Sequence, residues 1–98
     1  MSDPVKTGSS IKKIPGGKLI RVDVIYSKKV ERVKITGDFF LHPEELITTI
    51  EESLAGAEIP LSKGLLVERV ETILKNNGAI VIGFSPEDLI SVLADAVK

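Results

Sequence analysis

Residues 18–26 read Lys-Leu-Ile-Arg-Val-Asp-Val-Ile-Tyr, and residues 30–36 read Val-Glu-Arg-Val-Lys-Ile-Thr. In the first run Ile20, Val22, Val24 and Tyr26 alternate with Leu19, Arg21, Asp23 and Ile25. In the second, Val33 and Ile35 alternate with Arg32, Lys34 and Thr36. Successive side chains on extended backbone point to opposite sides, so a period of two in β-branched residues marks a strand with one buried face. Only Ser27-Lys28-Lys29 separates the runs, which makes them an antiparallel hairpin of open turn type, since Asn-Gly is absent. A lone hairpin is marginal in water and needs a third strand or a helix on its apolar face. Phe39-Phe40-Leu41 is the candidate third strand.

Past the hairpin the apolar spacing becomes helical. Pro43 suits a first helical position, and Glu44 and Glu45 complement the dipole of a first turn. Leu46, Ile47, Ile50 and Leu54 make one stripe, and Gly56 is a C-terminal stop. A loop over 57–64 surrounds Pro60. A second helix, about 64–76, turns Leu66, Val67, Val70, Ile73 and Leu74 inward and ends at Asn76-Asn77-Gly78. Ala79-Ile80-Val81-Ile82 is wholly apolar and reads as a buried extended piece or strand. Ser85-Pro86-Glu87-Asp88 is a strong helix start, with a Ser cap, Pro behind it and an acid three residues on. Leu89, Ile90, Leu93 and Val97 then share a face. The expected fold class is α+β: a small antiparallel sheet of two to three strands with about three helices packed on one face.

The whole chain has 98 residues, enough for one domain, of which 43% are hydrophobic and 28% charged. The polar, Gly/Ser-containing residues 1–11 are expected as a disordered lead-in, and 12–98 as the single domain. Zero cysteines exclude disulfides, thiolate metal sites and cysteine nucleophiles, and the single histidine, His42, excludes a His-rich metal site. No apolar run approaches the roughly 20 residues that span a bilayer, and the N-terminus has no hydrophobic signal segment, so no membrane is expected and the cytoplasm is the expected compartment. The net charge of −1 conceals a split: residues 1–37 carry nine Lys/Arg against three acids, and residues 38–98 carry four against eleven. Solvated strand lysines and helix glutamates account for it; the same dipole can also steer oriented encounters.

Two segments stand out chemically. In Ile14-Pro15-Gly16-Gly17-Lys18 the glycines and the lysine allow backbone N–H groups and an ammonium to approach an anion, or another chain to come close. The segment is no Walker loop, because residue 12 is Lys, residue 19 is Leu, and it precedes a strand instead of opening a helix. It equally reads as a turn into the first strand. In Thr36-Gly37-Asp38-Phe39-Phe40-Leu41-His42 the adjacent Phe39 and Phe40 must point to opposite faces, so one enters the core and the other is covered by a helix or a partner. Asp38 and His42 read as turn and helix-cap groups before they read as an acid–base pair. The acids Glu44, Glu45, Glu51 and Glu52 read as a solvated helix face. Aromatic interleaving is absent from the basic hairpin, so no nucleic acid is expected.

Taken together, Lys13-Ile14-Pro15-Gly16-Gly17-Lys18-Leu19-Ile20, the hairpin, Ile35-Thr36-Gly37-Asp38-Phe39-Phe40 with Pro43-Glu44, and Gly83-Phe84-Ser85-Pro86-Glu87-Asp88-Leu89 resemble the C-terminal accessory domain of lipoate–protein ligase. The match is to the form found as a separate small subunit in bipartite archaeal ligases and covers about residues 12–97. The resemblance implies a SufE/NifU-like arrangement, because domains of this family are similar in fold to the iron–sulfur scaffold and SufE group; that group's sulfur chemistry needs a cysteine this chain lacks. It implies an accessory role, non-catalytic alone, in a ligase whose large catalytic subunit binds lipoate, ATP and Mg2+, forms lipoyl-adenylate and passes the lipoyl group to an acceptor domain, a 2-oxoacid dehydrogenase E2 or the glycine cleavage H protein. This chain alone is expected to bind none of those cofactors and to supply no catalytic residue. Its partner-facing residues are expected to be Pro15, Gly16, Gly17, Lys18, Gly37, Asp38, Phe39 and Phe40. The alternatives are a stand-alone anion- or nucleotide-binding module and an adaptor without a catalytic partner.

Overall fold

The computed structural model of the chain describes residues 4–16 and 18–97. The hairpin forms as expected, β2 (Lys18–Tyr26) against β3 (Val30–Gly37), and the alternation places Ile20, Val22, Val24, Tyr26, Val33 and Ile35 in the core. The third strand is β1 (Lys6–Ile14), antiparallel to β2, so the sheet order is β1-β2-β3. This corrects two expectations. Residues 6–11 are strand and not disordered lead-in, residues 1–3 lying outside the described ones. And the Phe-Phe-Leu segment does not extend the sheet: β4 (Phe40–His42) pairs instead with β5 (Ile80–Ile82) in a separate antiparallel ribbon.

The physical reason lies in β1 itself. Its inward positions Gly8, Ser10 and Lys12 stand opposite Val24, Val22 and Ile20. They are small or polar because the last helix lies directly on them; a Cβ on Gly8 would collide with the Ala96 carbonyl oxygen. Such a strand carries no apolar alternation.

The described residues form three helices, as expected: α1 (Leu46–Leu54), α2 (Lys63–Asn76) and α3 (Pro86–Ala96). α1 rests on β3, α3 on β1 and β2, and α2 bridges α1 and α3, so the helices cover one face of the sheet. The fold is α+β. Leu46, Ile50 and Leu54 of α1, Leu66 and Val70 of α2, and Leu89, Ile90, Val92 and Leu93 of α3 fill the core. α3 starts with the full capping box: Ser85 Oγ accepts from Asp88 N at 3.1 Å, and Asp88 Oδ2 accepts from Ser85 N at 3.1 Å. Among the described residues no helix is long and apolar enough to cross a membrane.

Three local expectations change. Pro43 does not occupy a first helical position; residues 43–45 form a tight turn in which Leu46 N and Ile47 N donate to Pro43 O and Glu44 O, both at 3.1 Å, and the helix begins after Glu45. Neither Asp38 nor His42 caps it. Glu51 is not a solvated acid: its Oε2 accepts from Ile35 N at 2.7 Å and closes the outer edge of β3. Farther along that edge Val30 N donates to Ala57 O at 2.8 Å and Gly56 N to Val30 O at 2.7 Å.

Candidate functional site

The two sequence segments that stood out meet at one end of the molecule. Pro15 and Gly16 lie in the turn that joins β1 to β2, where Ile14 pairs with Lys18. Gly16 has φ +105°, a left-handed conformation that a residue without Cβ adopts freely. Gly17 lies outside the described residues. Lys18 opens β2 with its side chain exposed.

The β3–β4 junction crosses the start of β2. Gly37 pairs with Ile20, and a Cβ on Gly37 would collide with the Leu19 carbonyl oxygen. That oxygen accepts from Asp38 N at 2.9 Å. The close approach needs glycine at 37. It turns the chain out of the sheet and into β4, which sets the side-chain directions of the two phenylalanines. Phe39 turns inward and stacks edge-on against Phe84, with ring centroids 5.0 Å apart and planes at 87°. Phe40 turns outward and is 51% exposed.

A third segment completes the site. Gly83, between β5 and α3, has φ +118°, and a Cβ there would lie 3.0 Å from Phe39 Cβ and 3.3 Å from Lys18 Cγ. Gly83 is thus the point where the lysine turn and the Phe-Phe segment touch. Beside it, the outward face of the ribbon carries Phe40 opposite Ile82 and His42 opposite Ile80. Ile80 and Ile82 are 54% and 56% exposed, which corrects the expectation of a buried segment over 79–82. The inward residues are Leu41, buried, and Val81, half-buried. A shallow depression of about 290 Å³ adjoins Phe40, lined by Phe39, Phe40, Leu41, Glu44 and Ile47.

All seven described residues expected to face a partner therefore lie on the turn or the junction that converge here. Phe39 is the exception in role, since it is the internal anchor and Phe40 the outward group. Sequence reasoning missed Ile80, Ile82 and Gly83 as members. Their signal was the cross-strand match of two three-residue apolar runs, visible only once β4 is known to leave the sheet. No hydrogen bond or ion pair joins Asp38 to His42 among the described residues. The clearest electrostatic cluster is elsewhere, on the outer face of the sheet: Arg21 pairs with Asp23 at 3.0 Å, Ser9 Oγ donates to Asp23 at 2.7 Å, and these bonds hold the Asp23 carboxyl below the usual carboxylate range. The site is built from backbone junctions and apolar side chains, with the exposed side chain of Lys18 beside them.

No family model matches the chain. Lipoate-protein ligase A subunit 2 of Thermoplasma acidophilum is 34% identical over 79 residues, which span 76% of this chain and 76% of the relative. Among solved structures, the chain is similar to one from an archaeal lipoylation system of Thermoplasma acidophilum, described as a bipartite lipoate protein ligase and its E2 lipoyl domain. The TM-score is 0.60 and the identity 28%, over 94% of this chain and 97% of that chain.

Proposed function

This chain belongs to the family of lipoate-protein ligase A subunit 2, and on that premise we propose that it is the accessory subunit of a bipartite lipoate–protein ligase, docking through residues 15–18 and 37–40 on a larger catalytic subunit and supporting ATP-dependent adenylation of lipoate there. In such a ligase ATP and Mg2+ activate the lipoate carboxyl as lipoyl-adenylate, from which the lipoyl group passes to the lysine of an acceptor domain such as a 2-oxoacid dehydrogenase E2 or the glycine cleavage H protein. Lipoate, ATP and Mg2+ are assigned to the larger subunit. Among the described residues of this chain no group of three or more His, Asp or Glu is placed to hold a metal ion.

What this chain contributes is order. Adenylation needs loops closed over a triphosphate and water kept out. A small domain that packs against those loops lowers their freedom before the reaction and so lowers the cost of reaching the reactive geometry. The observation that carries the reading is the convergence at Gly83. Gly83 packs closely against Phe39 and the Lys18 side chain, Phe39 stacks on Phe84, and Asp38 N donates to Leu19 O, so the outward groups are held in fixed places. Exposed Lys18 offers a positive charge to an anionic group of the partner.

Reconstitution tests this. The chain is mixed with the larger subunit of such a ligase, lipoate and Mg-ATP, and lipoyl-adenylate is measured. Adenylate is expected only when both chains are present, whereas transfer from preformed lipoyl-adenylate to an apo acceptor domain is expected to proceed without this chain. Equal adenylation by the larger subunit alone overturns the reading. Lys18→Ala and Phe40→Ala are expected to lower adenylation while the chain stays folded.

A further inference from the structure

We propose that the outward face of the β4–β5 ribbon, made by Phe40, Ile80 and Ile82, is the centre of the contact with the larger ligase subunit, an inference that rests on the accessory role proposed above. The register sets these side chains on one face, Phe40 across from Ile82 and Ile80 across from His42. All three are more than half exposed. Cross-strand neighbours stand about 4.5–5.5 Å apart at their Cβ atoms, so the three form one apolar patch and not three scattered residues.

The other exposed apolar side chains are set differently: Val5 precedes β1 and Leu65 stands on α2. Ile11 and Leu19 lie on the outer face of the three-stranded sheet, where Lys13, Arg21, Asp23, Lys34 and Thr36 intervene. Single apolar residues among charges are ordinary on a protein surface. On the ribbon His42 is the one polar side chain of the face. The large residues Phe40, Ile80 and Ile82 point away from the domain while Leu41 and Val81 point in, so the ribbon shows more apolar bulk outward than inward.

The area decides what covers it. About half of three large side chains amounts to on the order of 300 Å², the size of patch that is often functional on a small protein. Stable recognition needs roughly 800 Å² on each partner. The patch by itself falls short of that, so its partner must also cover neighbouring surface. A larger partner extends from the ribbon across the Lys18–Gly83 junction and into the depression beside Phe40 and Ile47, which are continuous with it. The occupant we assign is the catalytic subunit, because the chain is similar to subunit 2 of a ligase that works in two parts. It presents an apolar surface to the ribbon, inside a polar rim that meets His42, Glu44 and Lys18. A patch of this kind is held rigid from behind, through Phe39 on Phe84 and Asp38 N on Leu19 O, so little freedom is lost on docking.

The experiment measures binding of the full chain to the larger subunit by calorimetry. Phe40→Asp and Ile82→Asp are each expected to weaken binding at least tenfold, with circular dichroism and melting temperature close to the parent's. Ile11→Asp, an equally exposed change on the sheet, is expected to bind within twofold of the parent. If the parent binds and both ribbon variants bind equally well, the ribbon is not the centre, and the accessory role stands. If the parent does not bind at all, the accessory role itself fails. A folding-independent check is hydrogen exchange on the parent complex: amides of residues 38–42 and 80–83 are expected to slow, and unchanged exchange there overturns the proposal. A parent dimer in sedimentation that Ile82→Asp dissociates overturns the choice of occupant.

Discussion

The three-stranded sheet and the β4–β5 ribbon follow the same alternation and use it in opposite directions. In the sheet the bulky apolar positions Ile20, Val22 and Val24 are 0–2% exposed beneath α1 and α3. In the ribbon the bulky positions Phe40, Ile80 and Ile82 are 51–56% exposed. The edges differ too. The outer edge of β3 is closed by Glu51 and by the loop at Gly56 and Ala57, whereas the ribbon has only three residues per strand and a bare apolar face. Alternation tells which side chains share a face; what packs against that face decides whether it is inside. The sheet is finished by this chain's own helices. The ribbon's outward face is left uncovered by the described residues of this chain, and in the proposal above the larger subunit covers it.

The largest test of this contrast compares the same substitution in both places. Ile20→Ala is expected to cost about 2–5 kcal/mol, since it opens a cavity in a filled core, and Ile82→Ala less than about 0.5 kcal/mol. Denaturant unfolding measures both, and equal losses would dissolve the distinction between the two regions. Next in size is Gly37→Ala, at the point where sheet becomes ribbon. A Cβ there meets the Leu19 carbonyl oxygen, so the junction must shift, at a cost of about 1–3 kcal/mol. It is also expected to weaken binding to the larger subunit, whereas Ile20→Ala, measured without denaturant at a temperature where the variant is folded, is not, because only the former re-aims Phe40. Third is Ser85→Ala, which removes the hydroxyl that accepts from Asp88 N and costs about 1 kcal/mol of stability. Thermal melts check it, and adenylation in the reconstituted ligase is expected to be unchanged at a temperature where the variant is folded.

The hairpin and α3 were legible because each carries its signal locally: β-branched alternation in one, Ser85-Pro86-Glu87-Asp88 in the other. The family resemblance was legible for a related reason, since its motifs sit at the turns and junctions where the backbone restricts the residue. β1 was not legible. Thr7-Gly8-Ser9-Ser10 has the composition of a flexible tail, and only the backbone of α3 lying on Gly8 explains it as strand. Ile80-Val81-Ile82 reads as extended, and its outward residues are exposed instead of buried, because a three-residue apolar run does not reveal that its strand pairs outside the main sheet, with no helix of the described residues over its outward face. The sequence groups Lys18 with residues 37–40 but does not show the contacts that bring them together. Leu19 O, which binds the two segments together, is a backbone atom and leaves no mark in the side-chain pattern. Glu51 was misread for the same reason, its partner being the amide of Ile35.

The smallest expected effect concerns how the sheet's outer face differs from the ribbon's. That face carries polar pairing along β2 and across to β1: Arg21 Nε donates to Asp23 Oδ2 at 3.0 Å and Arg21 Nη2 to Oδ1 at 3.1 Å within β2, and Ser9 Oγ of β1 donates to Oδ1 at 2.7 Å. The Arg21 hydrogen bond first, then that of Ser9, holds the Asp23 carboxyl below its ordinary range. A carboxyl whose folded pKa lies below its unfolded one stabilises the fold fully above the unfolded value, near pH 4, and loses that contribution as pH falls through the folded value. The pair is exposed, so its contribution is small and salt-sensitive. Asp23→Asn is therefore expected to change the melting temperature at pH 7 less than Ser85→Ala does. It should flatten the fall in melting temperature below about pH 4, by removing the group that titrates there. Ile82→Ala, which alters the ribbon and no charge, should leave that slope as it is. Melting curves from pH 7 down to about pH 2.5 decide the matter, since any acid-limb contribution of Asp23 appears only there. An Asn variant with the parent's slope would mean that Asp23 is not held by its partners in solution, and the sheet's outer face would then be as unsupported as the ribbon's.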